Sequence, residues 1–271
     1  MSELLLGKNV DYNIRYNPDL LFPIAREKNR KLLSNLSWKD GFDIWNCYEV
    51  SWLDNHDKPQ IRILELYVPA TSAYIFESKS LKLYLYSLND EKFESEEQAL
   101  KVIKKDLENI VKAEISLIAR SLDYFNDKGF FAASSVCIDS FEIDEIKPSP
   151  TSSIIKIQDK KEVEEKLYSH LLRSNCLITH QPDWGSVFIS YKGAKIDRNS
   201  LLSYILSFRN HSEFHEHCVE RIYSDIMEAA SPYELTVYAR YTRRGGIDIN
   251  PIRSSKPVQD LESLNIRLAR Q

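Results

Sequence analysis

The stretch SNCLITHQPDWG (174–185) holds a thiol and a carboxylate at a spacing that could serve covalent catalysis. Cys176 opens an apolar run, and Asp183 follows it after a proline. A thiolate is a strong nucleophile, and a carboxylate near it can carry protons. Alternatively, Cys176 is a small core residue and Asp183 forms an Asx hydrogen bond in a turn. The residues by themselves leave both interpretations open.

A second cluster, HSEFHEHC, places His211, His215 and Cys218 at helical spacing on one face, which is compatible with zinc binding. The alternative is that Cys218 belongs to an apolar stripe and His211 precedes the helix. Glu216 lies in the predicted first turn. It could complement the helix dipole, or its carboxylate could bind the N–H edge of a guanine-like ring.

The sequence ESKS predicts the start of a helix. Ser78 or Ser80 could be its N-cap, which is a structural role. Free backbone N–H groups at this helix start, together with Lys79, would equally suit a phosphate group.

The sequence TRRGGIDINP combines two cations with a tight turn. Gly245 and Gly246 could simply close a hairpin. Arg243 and Arg244 beside an open backbone could instead bind a diphosphate or a 2′-phosphate.

The composition bounds the class of protein. The chain has 271 residues, which suits one large domain or two ordinary ones, and its 43% hydrophobic residues can form a substantial core. The net charge of −4 does not favour nucleic acid or anionic membranes, although residues 240–271 carry a local basic surplus. Neither GxGxxG nor GxxxxGK[ST] occurs, so a Rossmann or P-loop nucleotide site has no support.

The cysteines and the apolar runs give information about the cellular location of the protein. Four cysteines without a CxxC pair indicate reduced thiols rather than a disulfide framework. No stretch resembles a signal peptide or a membrane span. We therefore expect a cytoplasmic protein with no direct nucleic-acid or membrane partner.

Hydrophobic periodicity predicts alternating groups of strands and helices. In the first half we expect strands over 42–52 and 60–69, a helix from Ser78, a helical period over 96–122, a strand over 132–143 and a linker over 147–153. In the second half we expect strands over 174–180 and 186–192, helices over 198–208 and 212–228, and strands over 234–242 and 247–253. The predicted fold class is α+β.

The two halves look like an internal duplication with the coarse order ββααββ. SLKLYLYSL (80–88) matches SLLSYILSF (200–208) at an offset of 120. One inserted residue then aligns Phe93 with Phe214, which pairs His215 with Glu94. Because the copies differ at their polar positions, we expect a site that draws on both halves.

Four motifs together closely resemble the NADPH-dependent 7-cyano-7-deazaguanine reductases, the nitrile reductases of queuosine biosynthesis. They are ESKSLKLY, SNCLITHQPDWG, FHEHCVERI and ARYTRRGGIDINP, in the family's order. The resemblance implies tandem tunnelling-fold modules, with antiparallel sheet and helices on one face. We place an N-terminal module at 1–146 and a C-terminal module with the catalytic cysteine at 147–271.

The resemblance also implies a role for each matching position. Cys176 would add to the nitrile carbon to form a covalent thioimide, and Asp183 would carry protons to the nitrogen. The substrate-binding residues would be Phe76, Glu77, Ser78, His215 and Glu216. The NADPH-binding residues would be Ser78, Lys79, Arg244 and Gly245.

The family needs no metal, so the resemblance weakens the zinc interpretation. It implies two NADPH molecules per turnover, a deazapurine substrate and a homodimer. The alternative is a zinc-dependent protein similar to GTP cyclohydrolase, or a protein of the same fold that binds a pterin or purine.

Overall fold

The computed structural model describes residues 15–126, 129–143 and 145–271, and it shows a mixed α+β protein. Its residues form two compact units. The first unit comprises Met1–Glu27, Asp43–Gly129 and Arg243–Asp248, and the second comprises Lys28–Phe42, Phe130–Thr242 and Ile249–Gln271. Across the described parts of the chain, no helix combines the length and the apolar composition that a membrane span requires.

The elements follow in chain order. Up to residue 137 they are β1 (Pro23–Ala25), α1 (Glu27–Arg30), β2 (Asp40–Leu53), β3 (Pro59–Pro69), β4 (Tyr74–Phe76), α2 (Ser78–Ser87), α3 (Glu96–Val111), β5 (Ser116–Arg120) and β6 (Val136–Cys137). They continue with β7 (Ile157–Asn175), β8 (Pro182–Ile196), α4 (Arg198–Ser207), α5 (His215–Ala230), β9 (Glu234–Tyr241), β10 (Ile247–Ser254) and α6 (Leu261–Leu264).

The strands of the first unit form two groups. β1 pairs antiparallel with β4. The strands β5, β3 and β2 are neighbours in that order, and β3 and β5 are antiparallel. Within α3, the residues at every fourth position, Ala99, Ile103, Leu107 and Val111, are all buried, so one stripe of this helix forms part of the core.

The second unit is built on the strand order β10, β9, β8, β7, β6. β7, β8 and β9 are antiparallel neighbours, whereas β6 and β7 are parallel. Alternate side chains of these strands face α4 and α5, as the two-residue period of a half-buried strand requires. The central residues of this core include Leu172, Val187, Ile189, Val237, Ala239, Leu201, Ile205, Val219, Ile222 and Ile226.

The first helix of each pair has the same length, and the two helices share one N-cap contact. Asp197 caps α4 by accepting the Ser200 N–H, as Glu77 caps α2 by accepting the Ser80 N–H. The Ser80 and Ser200 hydroxyls each donate back to the carbonyl of the capping residue. The predicted offset of 120 therefore describes this helix pair correctly.

The second helix of each pair is aligned differently from our prediction. α3 begins at Glu96 and α5 at His215, which is an offset of 119. The expected inserted residue is therefore wrong, and His215 matches Glu96 instead of Glu94.

Four predicted elements differ from the structure. The helical period over 96–122 ends at Val111, because Lys112 takes the left-handed conformation and β5 follows. The strand expected over 132–143 is reduced to β6, and α5 begins three residues later than predicted. The strand expected over 174–180 is wrong at both ends, because β7 covers Ile157–Asn175 and residues 176–181 form a loop. The early start was missed because the first half of β7 is charged and exposed and has no hydrophobic pattern.

Candidate functional site

Cys176 lies in a hairpin loop of the second unit, not in a strand as expected. The loop joins the end of β7 at Asn175 to the start of β8 at Pro182. Two hydrogen bonds close it: the Cys176 N–H donates to the Gln181 carbonyl at 2.8 Å, and the His180 N–H donates to the Cys176 carbonyl at 2.9 Å. His180 has a φ of 55°, the left-handed conformation that reverses the chain. Cys176 itself is partly exposed, as a nucleophile that must meet a ligand needs to be.

Asp183 is the second residue of β8, and its side chain is 8% exposed. Its Oδ2 lies 3.4 Å from Nε2 of His215, the first residue of α5. The His215 ring stacks on Tyr241, with ring centroids 3.7 Å apart and planes 2° apart. A Cβ at Gly185 would lie 3.2 Å from the same tyrosine ring, so a glycine allows this close packing. The structure therefore brings Asp183 and His215 together and fixes the imidazole against Tyr241.

The segment before α5 is tied to the strand that carries the loop. Asn175 donates its N–H to the His211 carbonyl at 2.8 Å and accepts the Glu213 N–H at 3.1 Å. The Glu213 carboxylate in turn contacts His211 Nε2 at 2.8 Å and accepts two hydrogen bonds from Arg221. These contacts hold the start of α5, and hence His215, in register with the residue that precedes Cys176.

Burial alone would raise the pKa of the Glu213 carboxyl group. The hydrogen bonds from His211 and Arg221, and the charge of Arg221, reverse that effect and leave the pKa below its ordinary value. Glu213 is therefore a buried anion that is paired from two sides.

Cys218 belongs to the core. It is fully buried, and burial raises the pKa of its thiol. Burial likewise raises the pKa of Tyr241, and the neighbouring Cys218 adds to that rise. These two groups stay protonated at neutral pH, so Cys218 is not a second nucleophile.

The zinc interpretation has no structural support. His211 contacts Glu213, His215 contacts Asp183, and Cys218 packs in the core, so the three residues serve three different neighbours. Among the residues that the structure describes, no group of three or more His, Cys, Asp or Glu side chains could hold a metal ion.

Glu216 follows His215 in the first turn of α5 and is 1% exposed. A carboxylate at this place complements the positive end of the helix dipole. The structure thus collects three of the predicted residues at one place in the second unit, namely Asp183, His215 and Glu216. Cys176 is the first loop residue of the same hairpin that carries Asp183.

Trp184 faces a different environment from its neighbour Asp183. The guanidinium groups of Arg173 and Arg209 both lie 5.7 Å from its ring centroid. Arg173 is opposite Trp184 in the β7–β8 register. The indole remains 37% exposed between these two cations.

In the first unit, Glu77 is the N-cap of α2, a role that we expected for Ser78 or Ser80. Its carboxylate accepts the Lys79 N–H at 3.0 Å and the Ser80 N–H at 2.7 Å. Burial raises the pKa of Glu77, although these two hydrogen bonds oppose the rise. The two amides already have an acceptor, so a phosphate at this helix start would depend on the Ser78 N–H and on the side chains of Ser78 and Lys79. Phe76, just before, is buried with its ring edge-on to Trp45.

The sequence RRGG forms a tight turn that also belongs to the first unit. Arg244 and Ile247 exchange backbone hydrogen bonds, and Gly245 and Gly246 have φ values of 61° and 77°. A Cβ at Gly245 would lie 3.2 Å from Nζ of Lys82. The turn therefore lies against α2, whose first residues are the predicted cofactor-binding residues.

Comparison with known proteins identifies the family of this chain. A family model described as nitrile reductase, 7-cyano-7-deazaguanine-reductase N-term, matches residues 12–118, and one described as QueF-like protein matches residues 182–260. Two relatives from Legionella pneumophila are named NADPH-dependent 7-cyano-7-deazaguanine reductase. They are 45% (strain Paris) and 46% (strain Corby) identical over 98% of this chain and 94% of each relative. This chain belongs to the 7-cyano-7-deazaguanine reductase family.

The family predicted from the four motifs is thus confirmed, as is the prediction of an oxidoreductase that uses NADPH. A crystal structure of the archaeosine synthase QueF-Like in the apo form is 20% identical to this family member. The aligned region covers 36% of the present chain and 95% of the archaeosine synthase chain, with a TM-score of 0.32.

Sequence reasoning missed several residues that shape this region of the family member. The Arg270 guanidinium donates to the carbonyls of Gly185 and His170, and the Gln271 amide donates to the Tyr241 carbonyl at 2.6 Å. No local pattern marks these residues, because their partners are distant in sequence. The burial of Tyr241 could be predicted, because it is the last inward position of the alternating run ELTVYARYT.

Proposed function

We propose that this chain reduces the nitrile group of 7-cyano-7-deazaguanine to an aminomethyl group at the expense of two NADPH. The proposal rests on the family membership together with one observation. The partly exposed Cys176 is the first loop residue of the hairpin whose second strand presents Asp183 to His215.

Cys176 is proposed to start the reaction. Its thiolate adds to the nitrile carbon while the nitrogen takes up a proton, so the product of this step is a covalent thioimide. A nitrile accepts hydride poorly, whereas the C=N bond of a thioimide can be protonated and activated. Two NADPH molecules, bound in turn, would each supply one hydride, the first to the thioimide and the second to the imine that follows it. Expulsion of the thiolate after the first hydride gives an imine and regenerates Cys176.

Asp183 is proposed to hand protons to the nitrogen. Two protons and two hydrides convert the nitrile to the amine, so a proton route must work twice in each turnover. His215 Nε2, 3.4 Å from the Asp183 carboxylate, is proposed to orient this group and to exchange protons with it. The stack on Tyr241 limits rotation of the imidazole.

The binding assignments keep the residues predicted from the resemblance. For the substrate they are Phe76, Glu77 and Ser78 in the first unit and His215 and Glu216 in the second. For NADPH they are Ser78, Lys79, Arg244 and Gly245, all in the first unit. The turn at Gly245 and the side chain of Lys82 lie together, which supports a basic, open-backbone site for phosphate groups there.

We further propose tandem tunnelling-fold modules at 1–146 and 147–271, a homodimer, a cytoplasmic location and a role in queuosine biosynthesis. Two likenesses support the tandem arrangement: α2 and α4 share a length and a cap contact, and α3 and α5 share a length.

The decisive experiment combines purified protein, 7-cyano-7-deazaguanine and NADPH. We expect about two NADPH to be oxidised per nitrile, and the substrate mass to appear on Cys176 when protein and nitrile are mixed without NADPH. Cys176→Ala should lose both turnover and the adduct. Cys137→Ala is the matched control, because Cys137 is also partly exposed and belongs to the same unit. Turnover by Cys176→Ala would show that the nucleophile is a different group.

A further inference from the structure

Arg243 is an exposed cation that the proposed reaction leaves without a task. Its guanidinium carbon lies 4.7 Å from the ring centroid of Tyr48, a cation–π contact. Within the described ranges, no carboxylate lies within ion-pair distance of Arg243. The guanidinium therefore lies over an aromatic ring while its N–H groups stay available.

The ring under Arg243 is itself fixed. The Tyr48 hydroxyl donates to Asp248 at 2.5 Å, and the Asn46 amide donates to the other oxygen of the same carboxylate at 2.8 Å. Asp248 is 1% exposed, so this anchor is inside the first unit. The Tyr48 N–H also donates to the Gly246 carbonyl at 2.9 Å, which ties the ring to the RRGG turn. A buried carboxylate thus determines where the exposed guanidinium is held.

Two other charged side chains beside the turn, Lys82 and Glu49, are matched to one another. Lys82 Nζ lies 3.8 Å from the Glu49 carboxylate, and it lies 5.0 Å from the ring centroid of Tyr86. The Tyr86 hydroxyl donates to Glu49 at 2.7 Å. Unlike Lys82, Arg243 can meet an incoming anion without breaking an existing ion pair.

We propose that Arg243 is the residue that distinguishes NADPH from NADH, by binding the phosphate on the adenosine ribose. This inference rests on the proposed function, because the cofactor assignment of Arg244 and Gly245 places the dinucleotide at the same turn. The two dinucleotides differ only in that phosphate, a monoester with up to two charges and three terminal oxygens. A planar guanidinium offers such a group two parallel hydrogen bonds, and a lysine cannot reproduce them.

The test compares both dinucleotides in steady-state kinetics of the full-length enzyme. Arg243→Ala should raise KM for NADPH by about tenfold to a hundredfold, the range expected for the loss of a hydrogen bond between charged groups. The kcat with NADPH and the KM for NADH should stay within about twofold of wild type. Arg243→Lys should recover only part of the preference for NADPH over NADH, because it keeps the charge and loses the two parallel hydrogen bonds of the guanidinium.

Arg62→Ala is the matched control. Arg62 is also in the first unit and also stacks on an aromatic ring, Trp52, but it is paired with Glu96 and lies away from the RRGG turn in sequence. It should leave the ratio of the two KM values unchanged. Equal losses for NADPH and NADH in Arg243→Ala would show a contact with the part that they share, and no loss would show no contact. Either result overturns the inference.

A binding measurement separates this inference from the proposed reaction. Calorimetry with adenosine 2′,5′-bisphosphate and with adenosine 5′-monophosphate needs no nitrile and no turnover. Wild type should prefer the bisphosphate, and Arg243→Ala should reduce that preference by about tenfold or more. If the nitrile is not reduced but this difference appears, the proposed function fails and the role of Arg243 stands. If the nitrile is reduced and the difference is absent, the proposed function stands and the role of Arg243 fails.

Discussion

At the scale of single residues, Glu213 shows how a buried charge is maintained beside the site. The His211 imidazole and the Arg221 guanidinium reach its two oxygens, and their hydrogen bonds outweigh the effect of burial on its pKa. A carboxyl group with a depressed folded pKa binds fewer protons in the folded than in the unfolded state. It therefore stabilises the folded protein above the unfolded pKa, and this contribution is lost as the pH falls through the folded pKa.

Glu213→Gln should lower the free energy of unfolding at neutral pH by about 2 kcal/mol, because Arg221 loses its charged partner. The gap between the two proteins should narrow as the pH is lowered from neutral to about 3, since wild type then gives up the same contribution. Urea unfolding across this range measures both values. A gap that stays constant down to the acid end would contradict a depressed pKa.

At the scale of elements, a tyrosine–aspartate hydrogen bond joins the two helices of each pair, but within the described part of the chain only one of the two aspartates has a second tyrosine donor. The Tyr84 hydroxyl of α2 donates to Asp106 of α3, and the Tyr204 hydroxyl of α4 donates to Asp225 of α5, both at 2.7 Å. Asp106 also accepts a hydrogen bond from Tyr16. Burial raises the pKa of Asp225, so its environment is costly for the charged form.

The two tyrosine–aspartate hydrogen bonds should therefore respond differently to the same substitution. Tyr204→Phe should cost about 1 to 3 kcal/mol, because the buried Asp225 loses its hydroxyl donor. Tyr84→Phe should cost about 1 kcal/mol or less, because Tyr16 still donates to Asp106. Unfolding of each variant in urea provides the comparison. A larger loss for Tyr84→Phe would show that the contact from Tyr16 does not compensate.

Elements were predictable where a cap and a period agreed. Ser95 caps α3 through the Gln98 N–H, and the buried stripe begins at Ala99, so the helix start could be inferred from the sequence. Its end could not, because Ile118 continues the helical spacing by coincidence while it is paired in β5. The helix stops at Lys112, which takes the left-handed conformation. Glycine usually marks such a helix end in a sequence, and here the residue is a lysine.

At the scale of the whole molecule, the four cysteines divide into two classes. Cys47 and Cys218 are buried, and burial raises the pKa of both thiols, whereas Cys137 and Cys176 are partly exposed. A thiol whose pKa is raised holds little thiolate at neutral pH, and burial also blocks the reagent.

Two thiols should therefore react with a maleimide or a disulfide reagent in the folded protein, and all four in denaturant. Peptide mapping by mass spectrometry should find the label on Cys137 and Cys176. The nitrile substrate should protect Cys176 and leave Cys137 unchanged. Early labelling of Cys218 would contradict its place in the core.

The site was predictable to the extent that it is local in sequence. Cys176 and Asp183 share one short motif, so both could be proposed together. The contact of Asp183 with His215 and the stack of His215 on Tyr241 join segments far apart in the chain. Periodicity and composition carry no information about such pairs. For the same reason the anchor of Arg243, which passes through Tyr48 to Asp248, emerged only from the folded chain.

The position of Trp184 has an optical consequence. It is the most exposed of the four tryptophans, and it directly follows Asp183 on the hairpin that carries Cys176. Trp45 and Trp52 are almost fully buried in the first unit, so solvent and ligands reach them little. Two guanidinium groups border the Trp184 indole, and a change in their positions alters the field around this fluorophore. The molecule thus carries a native emission probe beside its candidate nucleophile, without any attached dye.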